Sequence, residues 1–179
     1  MMHTGKKERK LDKLKKAAYN RKEIREIINH NGADILRSNK FISTKGHVQH
    51  GNVSVNEHCK NVAVASLRLN RALRLNGNSK EIVRGALLHD YFLYDWHNRK
   101  TPKGERMHGY SHPMTALGNA KRDYILSDKQ KDIIANHMWP LTITKIPKCK
   151  EAWIVTAADK YCSLMETIGV HKSSVGCRK

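Results

Sequence analysis

Ionisable side chains fall on the apolar side of one helix-forming segment after another in this chain. Five segments carry them, and in chain order the residues are His58, His89-Asp90, His112, His137 and Asp159. Burying an unpaired imidazolium or carboxylate costs roughly several kcal/mol, which hydrogen bonding, ion pairing or metal coordination offsets. Each gap between them is about one helix plus its connection. The pattern therefore predicts a helical bundle in which every helix places a ligand at one interior point.

Helical periodicity and capping signals indicate where the first two helices lie. An amphipathic, strongly basic helix is expected over Lys10–His30, with its end at Asn31-Gly32. The capping box at 54–57 predicts a long helix that runs to Leu75. His58 lies in line with the apolar stripe of that helix, so its side chain is expected to point inward.

The same signals indicate the helices of the second half. The His89-Asp90 pair is expected in the middle of a helix over 82–94. The next helix is expected to begin after His112-Pro113, since proline is favoured in the first turn of a helix. A capping box at 127–130 then predicts a helix that turns His137 inward.

A last helix is expected over 150–168, with Asp159 among the apolar residues on one of its sides. No segment alternates apolar and polar residues as strands do, so the fold is expected to be all-α. The expected organisation is a basic N-terminal helical extension over 1–45, a helical-bundle domain over 46–170 and a tail over 171–179.

The charge balance predicts an anionic partner. The 34 Lys and Arg residues outnumber the 16 Asp and Glu residues, which gives a formal net charge of +18. No apolar run approaches the roughly 18 residues that span a bilayer, and the N-terminus leads into no apolar secretion signal. A cytoplasmic protein is therefore expected. The four cysteines never form a C-x-x-C pair, which argues for reduced thiols rather than a disulfide scaffold or zinc ribbon.

Imidazole and carboxylate ligands suit iron, manganese, cobalt or nickel, with zinc or magnesium as alternatives. Four neutral histidines and two aspartates contribute −2 against +4 for two divalent ions, so the site keeps about +2 and attracts phosphate oxygens. His108 is one helical turn before His112 and is an alternative ligand in its place. His47 and His50 precede the capping box and are expected at the surface or behind the ligands.

These residues, in this order, match a known family. From about residue 50 to residue 168, the chain resembles the HD-domain metal-dependent phosphohydrolase superfamily. The motifs that carry the resemblance are NEHCKNVA, GALLHDY, YSHPMTA, IANHMW and TAADK. The six-ligand order H…HD…H…H…D resembles its dinuclear branch. The resemblance implies an HD-domain helical bundle with two divalent transition metals.

The resemblance also implies a role for each ligand. His58, the His89-Asp90 pair and Asp159 would hold one metal, and His112 and His137 would help to hold the second, with Asp90 bridging the two. A metal-bridging hydroxide would then attack phosphorus in a phosphate ester or anhydride, with Asp90 and His89 as the catalytic pair. The implied substrate is a small anionic phosphorylated metabolite, a nucleotide or a dinucleoside polyphosphate.

One position departs from the family. Many relatives carry a lysine three residues after the HD aspartate, where this chain has Leu93, and the nearby acid is Asp95. Phosphate must then be held by other residues, for which the candidates are Arg99, Lys103, Arg106, Lys160 and His108.

Two other functions remain open at this point. The same six ligands can support a di-iron oxygenase of the HD type, and the spacing does not separate the two activities. The basic composition also suits a nucleic-acid- or nucleotide-binding protein in which the metal is only structural.

Overall fold

A computed structural model describes residues 20–97 and 107–169, and within these ranges the chain forms seven α-helices and one short hairpin. The helices are α1 Arg21–Leu36, α2 Asn39–Ser43, α3 Val55–Ala72, α4 Ser79–Leu88, α5 His108–Asp123, α6 Asp128–Asn136 and α7 Lys150–Thr167. The all-α class is confirmed. The antiparallel strands β1 Val48–His50 and β2 Val53–Ser54 were not expected, because three and two residues are too few to show alternation.

Helices α3 and α7 pack against each other at the centre of the bundle. Helix α4 packs against both of them, α6 packs on α4 and α7, and α5 packs on α6. The fully buried side chains that join them are Val62, Leu67, Ile82, Leu87, Ile133, Ile134 and Val155. Among the described residues, no helix is long and apolar enough to cross a membrane.

Helix α1 continues beyond its expected end. Asn20 caps it in a full capping box with Glu23, and the expected helical residues 10–19 lie outside the described ranges. Asn31-Gly32 was predicted to end the helix, but the helix kinks at Gly32 and runs on to Leu36. The prediction correctly placed a break at Gly32, whose φ/ψ of −131°/15° are not helical, but missed the further helical turn, which fully buried Ile35 stabilises by extending the apolar face.

The long helix α3 begins as expected and ends earlier. The Ser54 hydroxyl oxygen accepts a hydrogen bond from the Glu57 N–H at 3.3 Å, and the hydroxyl also lies 3.3 Å from the Glu57 carboxylate. The helix ends at Ala72 rather than Leu75, because Arg74 adopts a left-handed φ of 52°. His58 is completely buried, which confirms that it points inward.

The His89-Asp90 pair follows a helix instead of lying inside one. Helix α4 ends at Leu88, so the prediction of a helix to residue 94 was wrong. The Tyr91 N–H donates to the Leu88 carbonyl at 3.2 Å, and Leu93 then adopts a left-handed φ of 61°. The pair therefore sits where the chain turns, at the end of a buried helix.

Helix α5 begins at His108 rather than after Pro113. The N–H groups of Tyr110 and Ser111 donate to the Met107 carbonyl and form the first turn. Pro113 lies inside the helix, where its missing N–H leaves the Gly109 carbonyl without its usual helical donor. The prediction was wrong because proline was taken to mark the first turn.

The close approach of α4 and α6 at Gly85 yields a test of the packing. A Cβ at Gly85 would lie 2.8 Å from Cγ2 and 3.0 Å from Cβ of Ile133, whose side chain is fully buried. We expect Gly85→Ala to lower the free energy of unfolding by about 1–3 kcal/mol, measured by urea denaturation. The matched control is Gly118→Ala on α5, where a Cβ meets no atom within 4 Å. That variant should gain about 0.5–1 kcal/mol from helix propensity, and equal losses in both variants would contradict the packing.

Candidate metal centre

Four imidazole rings converge in the interior from four different helices. His58 comes from the first turn of α3 and His112 from the second turn of α5, while His89 and His137 directly follow α4 and α6. All four are at least 96% buried. The ring centroids of neighbouring pairs lie 4.9–5.3 Å apart. The bundle thus brings together the four histidines predicted from the sequence.

The carboxylate of Asp90 lies between two pairs of these rings. Its Oδ1 is 3.3 Å from Nε2 of His112 and 3.5 Å from Nε2 of His137. Its Oδ2 is 3.5 Å from Nε2 of His89 and 3.7 Å from Nε2 of His58. Each oxygen of Asp90 therefore faces a different half of the cluster.

Asp159 completes one half of the cluster from helix α7. Its Oδ1 lies 3.1 Å from Nε2 of His58 and 3.6 Å from Nε2 of His89. Its Oδ2 accepts a hydrogen bond from the Lys160 ammonium at 2.9 Å. All six residues predicted as ligands are consequently adjacent in the structure.

Backbone carbonyls fix the tautomer of three rings. Nδ1 of His89, His112 and His137 lies 2.8–2.9 Å from the carbonyl oxygens of Ala86, His108 and Ile134 in turn. A carbonyl oxygen only accepts hydrogen bonds, so each Nδ1 carries the proton and donates it. In the neutral ring, Nε2 is then left with a lone pair that points into the cluster.

This donor set fits metal ions. Nε2 of His112 and Nε2 of His137 are 2.9 Å apart, so two lone pairs face each other unless a proton or cation lies nearby. Nε2 of His89 and Oδ1 of Asp90 are buried without a hydrogen-bond partner among the described residues. The side chains form two groups, and within each group the ligand atoms lie within 4.8 Å of one another. One group is His58, His89 and Asp159, and the other is His89, Asp90 and His137. Lone pairs buried together in this way suit divalent transition metals.

The shifted pKa values of the cluster show that its two carboxylates need positive charge nearby. Burial opposes protonation of His58, but hydrogen bonds to Asp159 and Glu166 raise its pKa to about 10. Burial opposes ionisation of Asp90, yet the positive charge of His89 lowers its pKa well below the ordinary value. Burial together with the charges of His89 and His112 lowers the pKa of His137 to about 3. Without metal, protons supply part of the positive charge that the two carboxylates need.

Residues that the sequence did not point to surround the ligands. The Gln49 amide donates to Oδ2 of Asp90 at 2.5 Å, the Ser163 hydroxyl lies 3.2 Å from Asp159, and Glu166 lies 2.7 Å from His58. Ser163 and Glu166 follow Asp159 at helical intervals on the same face of α7, and this spacing was the available signal. Gln49 comes from the unexpected hairpin, so no pattern marked it.

A cavity of about 530 Å³ opens onto the cluster. Asp90, His112, His137 and Asp159 form its polar floor, and its wall includes Trp96, Met107, Tyr110, Leu141 and Lys160. His50 also lines it, with its ring centroid 5.3 Å from that of His58. The cavity therefore joins a largely apolar wall to the buried polar groups.

His108 lies on the cavity wall rather than inside the cluster. Its ring stacks between Trp96 and His112 at centroid distances of 4.8 and 4.7 Å, and its Nδ1 is 2.9 Å from the Tyr94 hydroxyl. The structure thus brings His112, and not the alternative His108, to the converging Nε2 atoms. Asp95 accepts a hydrogen bond from the His97 N–H and does not line the cavity.

The sequence offered four cationic candidates for phosphate binding. Arg99, Lys103 and Arg106 lie outside the described residues. Lys160, the fourth, lines the cavity next to Asp159.

An all-helical bundle with a buried histidine and aspartate cluster defines a class of metal-binding helical domains. The family model of the HD domain matches residues 55–164, more than half of the sequence, and this chain therefore belongs to the HD domain family. That superfamily consists mostly of metal-dependent hydrolases, and its domains bind divalent metals. Neither the search of curated proteins nor the search of solved structures returned a match.

The raised pKa of His58 predicts that metal uptake releases protons. At pH 8 the metal-free ring keeps its extra proton, because its pKa of about 10 lies above the pH, and a metal on Nε2 must displace that proton. We expect about one proton from His58 per chain loaded, and a further contribution from His89, whose pKa the negative charge of Asp90 raises against the effect of burial. Titration of metal-free protein with Mn²⁺ in weak buffer, followed with a pH indicator, measures this release. Affinity should fall as the pH is lowered, and metal uptake without proton release would contradict the assignment.

Proposed function

We propose that this chain is a metal-dependent phosphohydrolase that hydrolyses a phosphate ester or anhydride of a small metabolite. The proposal rests on one observation: lone pairs that face each other at the floor of a cavity large enough for a small molecule. A nucleotide or dinucleoside polyphosphate is the substrate class we propose. A cytoplasmic location belongs to the same proposal.

Two divalent metals are proposed for the two ligand groups. His58, His89 and Asp159 would hold the first metal. Asp90 and His137 of the second group would hold the second, together with His112, whose Nε2 lies 3.3 Å from Asp90 and 2.9 Å from Nε2 of His137. The two oxygens of Asp90 face both metals. Iron, manganese, cobalt or nickel suits these ligands, and zinc or magnesium is the alternative. When bound, such a pair of cations acidifies a water molecule and screens the charge of a phosphoryl group.

The protein contributes orientation and charge to the reaction. The backbone carbonyls orient the rings of His89, His112 and His137, so these three ligands are already aimed at the site before substrate enters. Asp90 supplies its two oxygens to both halves of the cluster, and together with His89 it forms the catalytic pair of the proposal. In the reaction, a water oxygen would form a bond to phosphorus as the water gives up one proton, the bond to the leaving oxygen would break, and that oxygen would take up one proton, so that the sum is the addition of one water molecule.

The cavity wall indicates how substrate would be bound. Lys160 is the described cation on this wall, and we assign to it a hydrogen bond to a phosphate oxygen. Trp96 and Tyr110 provide apolar surface for the organic part, with His108 stacked on Trp96. Arg99 and Lys103 remain proposed phosphate contacts.

The proposed activity is tested by loading metal-free protein with Mn²⁺, Fe²⁺, Co²⁺ or Ni²⁺ and screening nucleotides for phosphate release. We expect turnover that requires metal and does not require oxygen. Asp90→Asn should lower kcat/KM by roughly 10³-fold, because it removes a negative charge from between the two ligand groups. The matched control is Asp34→Asn, at a carboxylate paired with Arg84 on the surface.

Two results would contradict the proposal. Undiminished turnover by Asp90→Asn would show that the cluster is not the reaction site. Turnover that stops without oxygen would assign the cluster to oxygenase chemistry instead.

The phosphate contact of Lys160 is tested separately. Lys160→Ala should raise KM roughly tenfold, since it removes one charge-assisted hydrogen bond to substrate; the metal content is measured in parallel, because Lys160 also donates to Asp159. Lys150→Ala, an exposed lysine at the start of the same helix, is the control. Steady-state kinetics with elemental analysis measures both quantities, and an unchanged KM in Lys160→Ala would remove this residue from the substrate site.

A further inference from the structure

A buried carboxylate outside the six-residue cluster is linked to it through His58. Glu166, on the last turns of α7, is 2% exposed, and its Oε2 lies 2.7 Å from Nδ1 of His58. Its Oε1 accepts a hydrogen bond from the Asn61 amide at 3.0 Å. Glu166 lies two residues beyond the part of the chain that the family model matches, so the match assigns it no role.

We propose that Glu166 is a positioning residue that fixes the His58 ring for metal binding and places a negative charge behind it. The inference rests on the proposed metal centre. His58 differs from the other three histidines, whose Nδ1 donates to a neutral backbone carbonyl. A carboxylate in that place forms a charge-assisted hydrogen bond and makes Nε2 a better ligand than a carbonyl does.

Two contacts surround Glu166 near the end of its helix: the hydrogen bond from Asn61 to its carboxylate and the approach of Gly51 to its backbone. Gly51, at the tip of the hairpin, adopts a left-handed φ of 55° and packs against the last turns of α7. A Cβ on Gly51 would lie 2.9 Å from the Glu166 carbonyl oxygen, so a larger residue would push this turn away. Asn61 therefore keeps the carboxylate aimed at His58, and the hairpin lies against the backbone turn that carries it.

The contact affects the two ligand groups unequally. Glu166 contacts a ring of the group formed by His58, His89 and Asp159, while the group with Asp90 and His137 takes its orientation from carbonyls. Glu166 adds a negative charge on the side of the first group to those of Asp159 and of Asp90, which both groups share. Loss of Glu166 should therefore weaken binding of one metal of the pair and spare the other.

The test measures Co²⁺ binding to the full chain, by visible absorption against a competing chelator. We expect Glu166→Ala to weaken one of the two binding steps by roughly 10–100-fold and Glu166→Gln by a few-fold to roughly tenfold. The glutamine oxygen still accepts the His58 N–H but carries no charge. Glu151→Gln is the matched control, since Glu151 is equally buried on α7 but bonds to the Asn78 N–H and to Lys129.

A double-mutant cycle tests the route through His58. In a His58→Ala background, Glu166→Gln should cause no further weakening, because the ring that transmits its effect is gone. A purely structural role would weaken both binding steps equally or act independently of His58, and either result would overturn the proposal. If Glu166→Ala does not fold, Glu166→Gln decides alone, and two unchanged binding steps would overturn the proposal.

The outcome is separable from that of the proposed function. Wild-type protein that binds two Co²⁺ ions but hydrolyses no phosphate compound would refute the phosphohydrolase and leave the role of Glu166 standing. Normal hydrolysis by the wild type, with Co²⁺ affinities unchanged in both Glu166 variants, would support the phosphohydrolase and refute the role of Glu166.

Discussion

The structure depends on the burial of four imidazoles and two carboxylates at one point inside a helical bundle. Two of the rings meet Nε2 to Nε2 at 2.9 Å, with each Nδ1 already committed to a backbone carbonyl. Such a cluster is unfavourable unless positive charge balances the carboxylates and accepts the lone pairs. In the metal-free protein, protons supply part of this positive charge, in agreement with the raised pKa of His58. Divalent cations would balance the carboxylates and accept the lone pairs more completely, and membership of the HD domain family agrees with a metal site here.

The bundle achieves this convergence by using the ends of its helices. His89 and His137 lie just after α4 and α6, where the ring can reach back to the carbonyl three residues earlier. His58 lies in a first turn, and its N–H is taken instead by Glu166 from across the bundle. The same helix ends leave room for the cavity, so the geometry that orients the ligands also opens the path to them.

The all-α fold and the six clustered side chains could be predicted from the sequence, because these side chains follow the apolar stripe of the helix-forming segments. His58 lies in line with buried residues of α3, and its inward direction was correct. The prediction that the His89-Asp90 pair lies inside a helix was wrong, because the helix already ends at Leu88 and the chain turns there, with Leu93 in a left-handed conformation that no propensity indicates. Glu166 was missed because its partner His58 is 108 residues away in the chain, a contact that only the folded bundle creates.

The central claim is that the cluster binds a pair of cations. Anomalous diffraction from a crystal grown with Mn²⁺ tests this most directly, since it locates the ions independently of any activity. The account predicts two peaks on either side of Asp90, about 3.5–4 Å apart, one beside His58 and Asp159 and the other beside His112 and His137. No peak within reach of these side chains, in protein that is otherwise folded as described, would contradict it.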